Sequence, residues 1–239
     1  MTNNTKVPIL EEMCQHENAV ALCLTETHLN ENIKDGEIKM QNYTIFRQDR
    51  TLGIKKGGVM IYIRKDLALN TIELTGGSRG NCEYQIIHLT DSNLVLINMY
   101  RPPNAKLDDF KAQMEEINRV IDDIGNPLPT LILTGDFNFP ELRWPEDKIG
   151  RISKATPLLE CMNKYALENY IKEPTHEKNI LDLFLTNDDE MVRDVRIDET
   201  NLSDHRILKI TSCLNINPRQ KRFTRRKTCS INSVFTIQK

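Results

Sequence analysis

The sequence contains no apolar run approaching the roughly 18 residues of a membrane span, and its opening Met-Thr-Asn-Asn-Thr-Lys lacks the apolar core of a secretory leader. Six cysteines (Cys14, Cys23, Cys82, Cys161, Cys213 and Cys229) include no C-x-x-C pair and no even framework, and several sit in apolar runs where a reduced thiol packs as a small hydrophobe. These absences point to a soluble, unexported chain with no membrane partner, in a reducing compartment, nuclear or cytoplasmic. Internal repeats and low-complexity segments are also missing. So are acids from residues 219–239, which hold seven Lys/Arg, leaving residues 1–218 at −9 (25 basic against 34 acidic side chains) within a net charge of −2. A basic tail on an acidic body reads as a solvated linker, a nuclear address or a polyanion-binding arm.

What is present is enough apolar content, 39% of 239 residues, for one large domain with a substantial core. Val20–Leu24, Tyr43–Phe46, Val59–Ile63, Tyr84–Leu89, Leu94–Tyr100, Leu131–Leu133, Ile180–Leu185, Val192–Ile197 and Ile207–Cys213 are short aliphatic or β-branched runs bounded by turn residues, and are predicted strands. Three segments carry a helical period: one opened by Pro8, one from about Asp108 to Ile124 with Phe110, Met114, Ile117, Val120, Ile121 and Ile124 on one stripe, and one opened by Thr156 as N-cap before Pro157. Leu94–Tyr100, the long helix and Thr130–Leu133 have the size of a β-α-β unit, while Val59–Leu89 reads as hairpins, so the expected sheet is mixed. The composition changes near Pro218, which predicts a domain over residues 1–217 and a basic linker or tail over 218–239.

Polar groups recur at the ends of these apolar runs: Glu26 after Val20–Leu24, Tyr100-Arg101 after Leu94–Met99, and Asp136 and Asn138 after Leu131–Thr134. Side chains alternate along a strand, so Asp136 and Asn138 face one way and Phe137 the other. Asp182 sits inside an apolar strand and needs a buried donor, for which a histidine N–H is the obvious candidate. Asp204 and His205 are adjacent, so both can serve one site only if the chain bends there, and Ser203 is a plausible turn former. Taken singly each has a plainer reading: Asp136 as an Asx-turn former, Glu26 as a helix-start acid, Arg47, Asp49 and Arg50 as an ion-paired turn. His16, His28, His88 and His176 show no ligand spacing.

Together and in order, Leu24-Thr-Glu26-Thr, Arg47-Gln-Asp49-Arg50, Gly57-Gly58-Val59, Tyr100-Arg-Pro-Pro103, Gly135-Asp136-Phe-Asn138, Pro174-Thr175, Leu181-Asp182-Leu183 and Ser203-Asp204-His205 resemble the endonuclease/exonuclease/phosphatase superfamily. Within it they are most similar to the apurinic-endonuclease-like domain of non-LTR (LINE-type) retrotransposons, over about Ile9 to Cys213. The resemblance implies a four-layered α/β sandwich, two mixed β-sheets packed face to face with outer helices and the site at one end. It implies a DNA-nicking phosphodiester hydrolase that leaves a 3′-hydroxyl to prime reverse transcription. Carried over by position, Glu26 and Asp204 would hold a divalent metal, Mg²⁺ or alternatively Mn²⁺, which keeps waters and a substrate phosphate. Asp136 would activate water, Asn138 stabilise the phosphoryl group, His205 donate to it under the control of Asp182, and Tyr100 bind the scissile phosphate. Arg47, Asp49, Arg50, Arg101 and Thr175 would contact substrate.

DNA binding is expected to be weak and salt-sensitive, because the body is acidic and the cations must come from local loops: Arg47, Arg50, Lys55 and Lys56, then Arg79, then Arg143 to Arg151. Fusion to a reverse transcriptase in a longer relative is a further implied partnership. The family's usual opening strand, with its Asn, has no counterpart before the first helix here, so a vacant sheet position and an unpaired edge are expected. Two other readings stay open: a catalytically impaired domain, or a phosphatase or phosphodiesterase acting on RNA, nucleotides or lipids.

Overall fold

Alternation along the strands decides which side of each sheet a residue serves, and here it builds four layers. The structure, a computed structural model, describes residues 6–50, 57–68, 70–142 and 154–213, with the backbone of 231–238. One sheet has the order β10-β11-β12-β1-β3-β2, from strands β1 (Ala19–Thr25), β2 (Tyr43–Gln48), β3 (Val59–Arg64), β10 (Val192–Asp198), β11 (Ile207–Cys213) and β12 (Ile231–Gln238). The other runs β4-β5-β6-β7-β9-β8, from β4 (Thr71–Arg79), β5 (Cys82–Leu89), β6 (Leu94–Tyr100), β7 (Thr130–Asp136), β8 (Glu168–Asn169) and β9 (Asp182–Thr186). Each sheet is mixed, β1 lying parallel to β12 and β6 parallel to β7.

Leu10 and Cys14 of helix α1 (Val7–His16) cover Leu22, Tyr43 and Tyr62 on the outer face of the first sheet. Ala21, Cys23, Ile61, Ile63, Leu208 and Ile210 from that sheet meet Ile87, Leu94, Leu96, Ile132 and Phe184 of the second. On its outer face the second sheet packs Tyr84, Ile86, Val95, Ile97, Leu131 and Leu133 beneath helices α3 (Leu107–Ile124) and α4 (Thr156–Tyr165). Phe110, Met114, Ile117 and Ile121 of α3 are buried there, the stripe the helical period predicts. The β6-α3-β7 crossover joins parallel neighbours as expected.

Several sequence expectations need correction. β4 escapes notice because Gly76 and Gly77 interrupt it and few of its residues are apolar, as befits an edge strand. Thr156 is the first helical residue rather than the cap, Ala155 holding that place without a side-chain bond. The largest difference is β12: it lies within the stretch expected as linker, and it fills the sheet position expected to be vacant, between β1 and β11. It follows the basic run Arg225-Arg226-Lys227, with which it reads as a linker. Among the cysteines, Cys14, Cys23, Cys82 and Cys161 are free and buried, as expected of packed thiols, whereas Cys213 is disulfide-bonded. No described helix is long and apolar enough to cross a membrane. A short helix α2 (Lys65–Ala68) follows β3.

Candidate active site

At one end of the sandwich the residues facing the gap between the sheets change from apolar to polar on three neighbouring strands of the second sheet. Along β6, Leu94 and Leu96 give way to Asn98 and Tyr100; along β7, Ile132 to Thr134 and Asp136; along β9, running the other way, Phe184 to Asp182. Register aligns the change, since Glu83 pairs with Tyr100, Tyr100 with Asp136, and Asp136 with Asp182.

Gly135 makes the alignment of β6 and β7 feasible. Its φ is 128°, and a Cβ there would collide with the Met99 carbonyl oxygen of β6, so only glycine lets the two strands run this close just before Asp136. Asp136 is fully buried. The chain then turns through Asn138, which takes a left-handed φ of 49°. That turn brings the Asn138 backbone N–H to Asp136 Oδ1 at 3.1 Å and its Nδ2 to Asp136 Oδ2. Nδ2 also donates to the Arg101 carbonyl at 3.1 Å. Both side-chain N–H groups of Asn138 are therefore committed within the protein, and its observed work is to hold Asp136. Burial first, and then the charge of Asp182, raise the Asp136 carboxyl well above the ordinary aspartate range, with Glu26 adding to the effect.

The donor expected for Asp182 is present: His205 Nδ1 lies 2.7 Å from Asp182 Oδ2, both side chains being buried. Two further contacts fix the pair. Thr175 Oγ1 accepts the backbone N–H groups of Leu181 and Asp182, each at 3.0 Å, so Thr175 orients the Asp182 backbone. Ser203 Oγ accepts the His205 N–H at 2.9 Å and makes the expected bend. Burial opposes a charge on His205, but the hydrogen bond and charge of Asp182 outweigh it and the imidazole is raised above its usual value. Asp204 does not turn inward; its side chain is 78% exposed and stands 4.0 Å from His176 Nε2.

Glu26 follows β1 with φ 49°, and His28 has φ 53°; like Asn138, they occupy a backbone region that is sparsely populated outside glycine and that concentrates at functional sites. The Tyr100 hydroxyl donates to Glu26 Oε1, and His28 Nε2 lies 3.6 Å from Glu26 Oε2. Among the described residues no cluster of three or more His, Cys, Asp or Glu stands ready to hold a metal ion. The two expected ligands diverge, Glu26 facing inward and Asp204 outward. Yet the negative charge of Glu26 and Asp182 bears on a buried Asp136, so the donor set suits a hard cation held by one carboxylate with water and substrate supplying the rest, as Mg²⁺ accepts.

The arginines expected to meet substrate are engaged elsewhere. Arg101 is buried, its guanidinium 4.0 Å from the Phe139 ring and 5.5 Å from that of Phe110, with Nη1 donating to the carbonyls of Phe137 (3.2 Å) and Asn138 (3.0 Å). It braces the loop carrying Asn138. Arg47 bonds Asp49, Asp35 and the carbonyls of Asn30 and Ile33, which is the ion-paired turn held open above. Arg50 pairs with buried Glu83 and donates to the Asn81 carbonyl at 2.8 Å, its guanidinium 6.0 Å from the Tyr100 ring. Lys55, Lys56 and Arg143–Arg151 lie outside the described residues. One side chain was missed by sequence reasoning: His176, whose ring lies 4.5 Å from that of His205. Its only sequence signal was its place beside Thr175, because ligand spacing does not reveal ring stacking.

Residues 94–209 match a family model described as endonuclease-reverse transcriptase. The matched range includes Tyr100, Asp136, Asn138, Asp182, Asp204 and His205. No curated protein matches. Among solved structures, the endonuclease domain of TRAS1, a telomere-specific non-LTR retrotransposon, is 17% identical with a TM-score of 0.59, over 85% of this chain and 89% of that one. A 3′ phosphatase from Neisseria bound to product DNA hairpin is 14% identical with a TM-score of 0.63, over 90% and 96%. An AP endonuclease from Archaeoglobus fulgidus is 12% identical with a TM-score of 0.58, over 90% and 96%. At these identities the likeness to solved structures shows the fold. The resemblance read from the motifs is borne out: the chain has the fold of the endonuclease/exonuclease/phosphatase superfamily, with a retrotransposon endonuclease among its structural neighbours.

Proposed function

We propose that this chain is a divalent-cation-dependent phosphodiester hydrolase that nicks DNA and leaves a 3′-hydroxyl able to prime reverse transcription. The observation that carries the reading is the pairing of His205 with Asp182 at 2.7 Å, in the same buried end as Asp136 held by Asn138. The endonuclease-reverse transcriptase match over residues 94–209 supports DNA as the substrate and a reverse transcriptase as a fused partner in longer relatives.

Each residue then has a task that follows from its contacts. With Nδ1 committed to Asp182, Nε2 is the His205 atom free to donate to a phosphoryl oxygen, and the raised imidazole pKa favours the protonated ring that such a donor needs. Asp136 accepts two bonds from Asn138 and is made more basic by burial, which suits it to take a proton from water. Tyr100 orients Glu26 through its hydroxyl and stands beside Asp136 in register, where a scissile phosphate would be met. Glu26 would hold the divalent cation, which would supply charge to offset that developing on the phosphoryl and alkoxide oxygens. Asp204, exposed beside His176, contributes only after its side chain turns.

The test is relaxation of supercoiled plasmid with Mg²⁺. Open circles that vanish with chelator, and that Asp136→Ala or His205→Ala reduce by about 10²–10⁴-fold, are the expected result. Nicking unchanged by either substitution would overturn the proposal. Release of phosphate from a 3′-phosphorylated oligonucleotide with no open circles would favour the phosphatase reading, and a folded chain with neither product the impaired one.

A further inference from the structure

Asn98 lies in β6 two residues before Tyr100, faces the same gap, and is fully buried. Its Nδ2 donates across that gap to two backbone carbonyls of the facing sheet, Leu24 at 2.8 Å and Met60 at 3.1 Å. Leu24 on β1 and Met60 on β3 are register partners, so one side chain grips two paired strands at once. Both Asn98 donors are spent in this way, while its buried Oδ1 has no partner among the described residues. Packing alone would not choose this residue: Leu94 and Leu96 fill the same face of β6, and a buried amide with an orphaned acceptor is costlier than hydrocarbon of equal size.

The contact gains meaning from what stands two residues further along each strand. Leu24 precedes Glu26 by two and Asn98 precedes Tyr100 by two, so the sheets are bridged at successive rungs, Asn98 to backbone and then Tyr100 to Glu26. The upper rung joins two side chains, and Glu26 leaves β1 in a strained left-handed conformation. The lower rung is the backbone-anchored one. We infer that Asn98 is a positioning residue that sets the height of β1 against β6 and thereby presents the Glu26 carboxylate to Tyr100 and to a cation. This rests on the assignment of Glu26 and Tyr100 to the active site made above.

The experiment uses the full chain labelled with ¹³Cζ-tyrosine, the Tyr100 resonance being identified with Tyr100→Phe and its sensitivity to Glu26 calibrated with Glu26→Gln. In Asn98→Leu and in the smaller Asn98→Ser, the Tyr100 resonance should move in the direction set by Glu26→Gln, with the circular dichroism spectrum unchanged. The Mg²⁺ concentration that half-saturates nicking should rise by about 10- to 100-fold, more than the rate at saturating Mg²⁺ falls. A Tyr100 resonance left at its wild-type position in either folded variant overturns the inference. So does a moved resonance with unaltered Mg²⁺ dependence. Should the wild type not nick at all, the proposed function fails, and the resonance still decides whether Asn98 positions Glu26.

Discussion

Phe184 and Asp182 stand two residues apart on β9 and face the same gap between the sheets, yet they belong to opposite regimes. Phe184 is fully buried in the inter-sheet cluster with Ile87, Leu96 and Ile132, where every square ångström removed from water contributes about 25 cal/mol to stability. Asp182 is as deeply buried, but it carries a charge there, and His205 and the backbone bonds arranged by Thr175 must offset the loss of water. The same division runs through β6 and β7. One end of the gap stabilises the sandwich; the other gathers groups that would be cheaper in solvent. A step of about 7 Å along a strand separates them, which argues that the apolar end supplies the rigidity with which the polar end holds Asp136, Asp182 and Glu26 together.

The sharpest way to break this comparison is to alter one member of each pair. Asp182→Asn keeps the shape of the side chain but removes the carboxylate that fixes and supports the His205 imidazole, so nicking should fall by about 10³–10⁴-fold. Its thermal melt should stay close to wild type. Retention of most nicking activity would mean that the His205–Asp182 pair is structural and that the division between the two ends has been drawn wrongly. Phe184→Ala should do the reverse, costing about 3–5 kcal/mol in urea unfolding through the cavity it leaves, with the nicking rate per folded molecule unchanged in low denaturant. A Phe184→Ala protein that is stable but slow would show that the apolar end shapes the chemistry directly.

Much of this division could be read in the sequence, and the reasons are local. Period-two alternation and the placement of Asp136, Asn138 and Asp182 are properties of single strands, so the polar strand ends followed from spacing and the need of Asp182 for a buried donor followed from its apolar strand. The long helix was equally plain, since Phe110, Met114, Ile117 and Ile121 declare one buried face. What could not be read depends on partners distant in the chain. Arg101 looks like a substrate-facing cation until Phe110 and Phe139 are seen against its guanidinium. Arg50 looks the same until Glu83, 33 residues away, is found beneath it. Asp204 and His205 are neighbours that part company, one outward and one inward, because the turn at Ser203 decides which side chain reaches the gap. β12 is the extreme case, since its partner β1 lies about 200 residues before it in the chain.

A gentler test asks how much the polar end costs. Asp136 is the group to probe, because burial first and the charge of Asp182 next raise its folded-state pKa well above the ordinary value of 3.8. The sign follows from linkage. Between the ordinary value and the raised one, the folded protein binds a proton that the unfolded chain has released, so this group's contribution to stability is greatest below pH 3.8 and is lost as pH climbs through the raised value. Asp136→Asn keeps the side chain neutral at every pH and removes that loss, at the pH-independent cost of one of the two bonds from Asn138, because an amide nitrogen cannot accept. Melting with chelator present should therefore find the difference between Asp136→Asn and wild type shifting in favour of the variant from acid toward neutral pH, as nicking disappears. A constant difference across that range would mean that Asp136 carries its charge at no cost, and that the polar end is better solvated than its burial implies. The shifting difference would instead identify Asp136 as a group whose ionisation weakens the fold that holds it, which is the cost expected where a carboxylate is kept basic enough to take a proton from water.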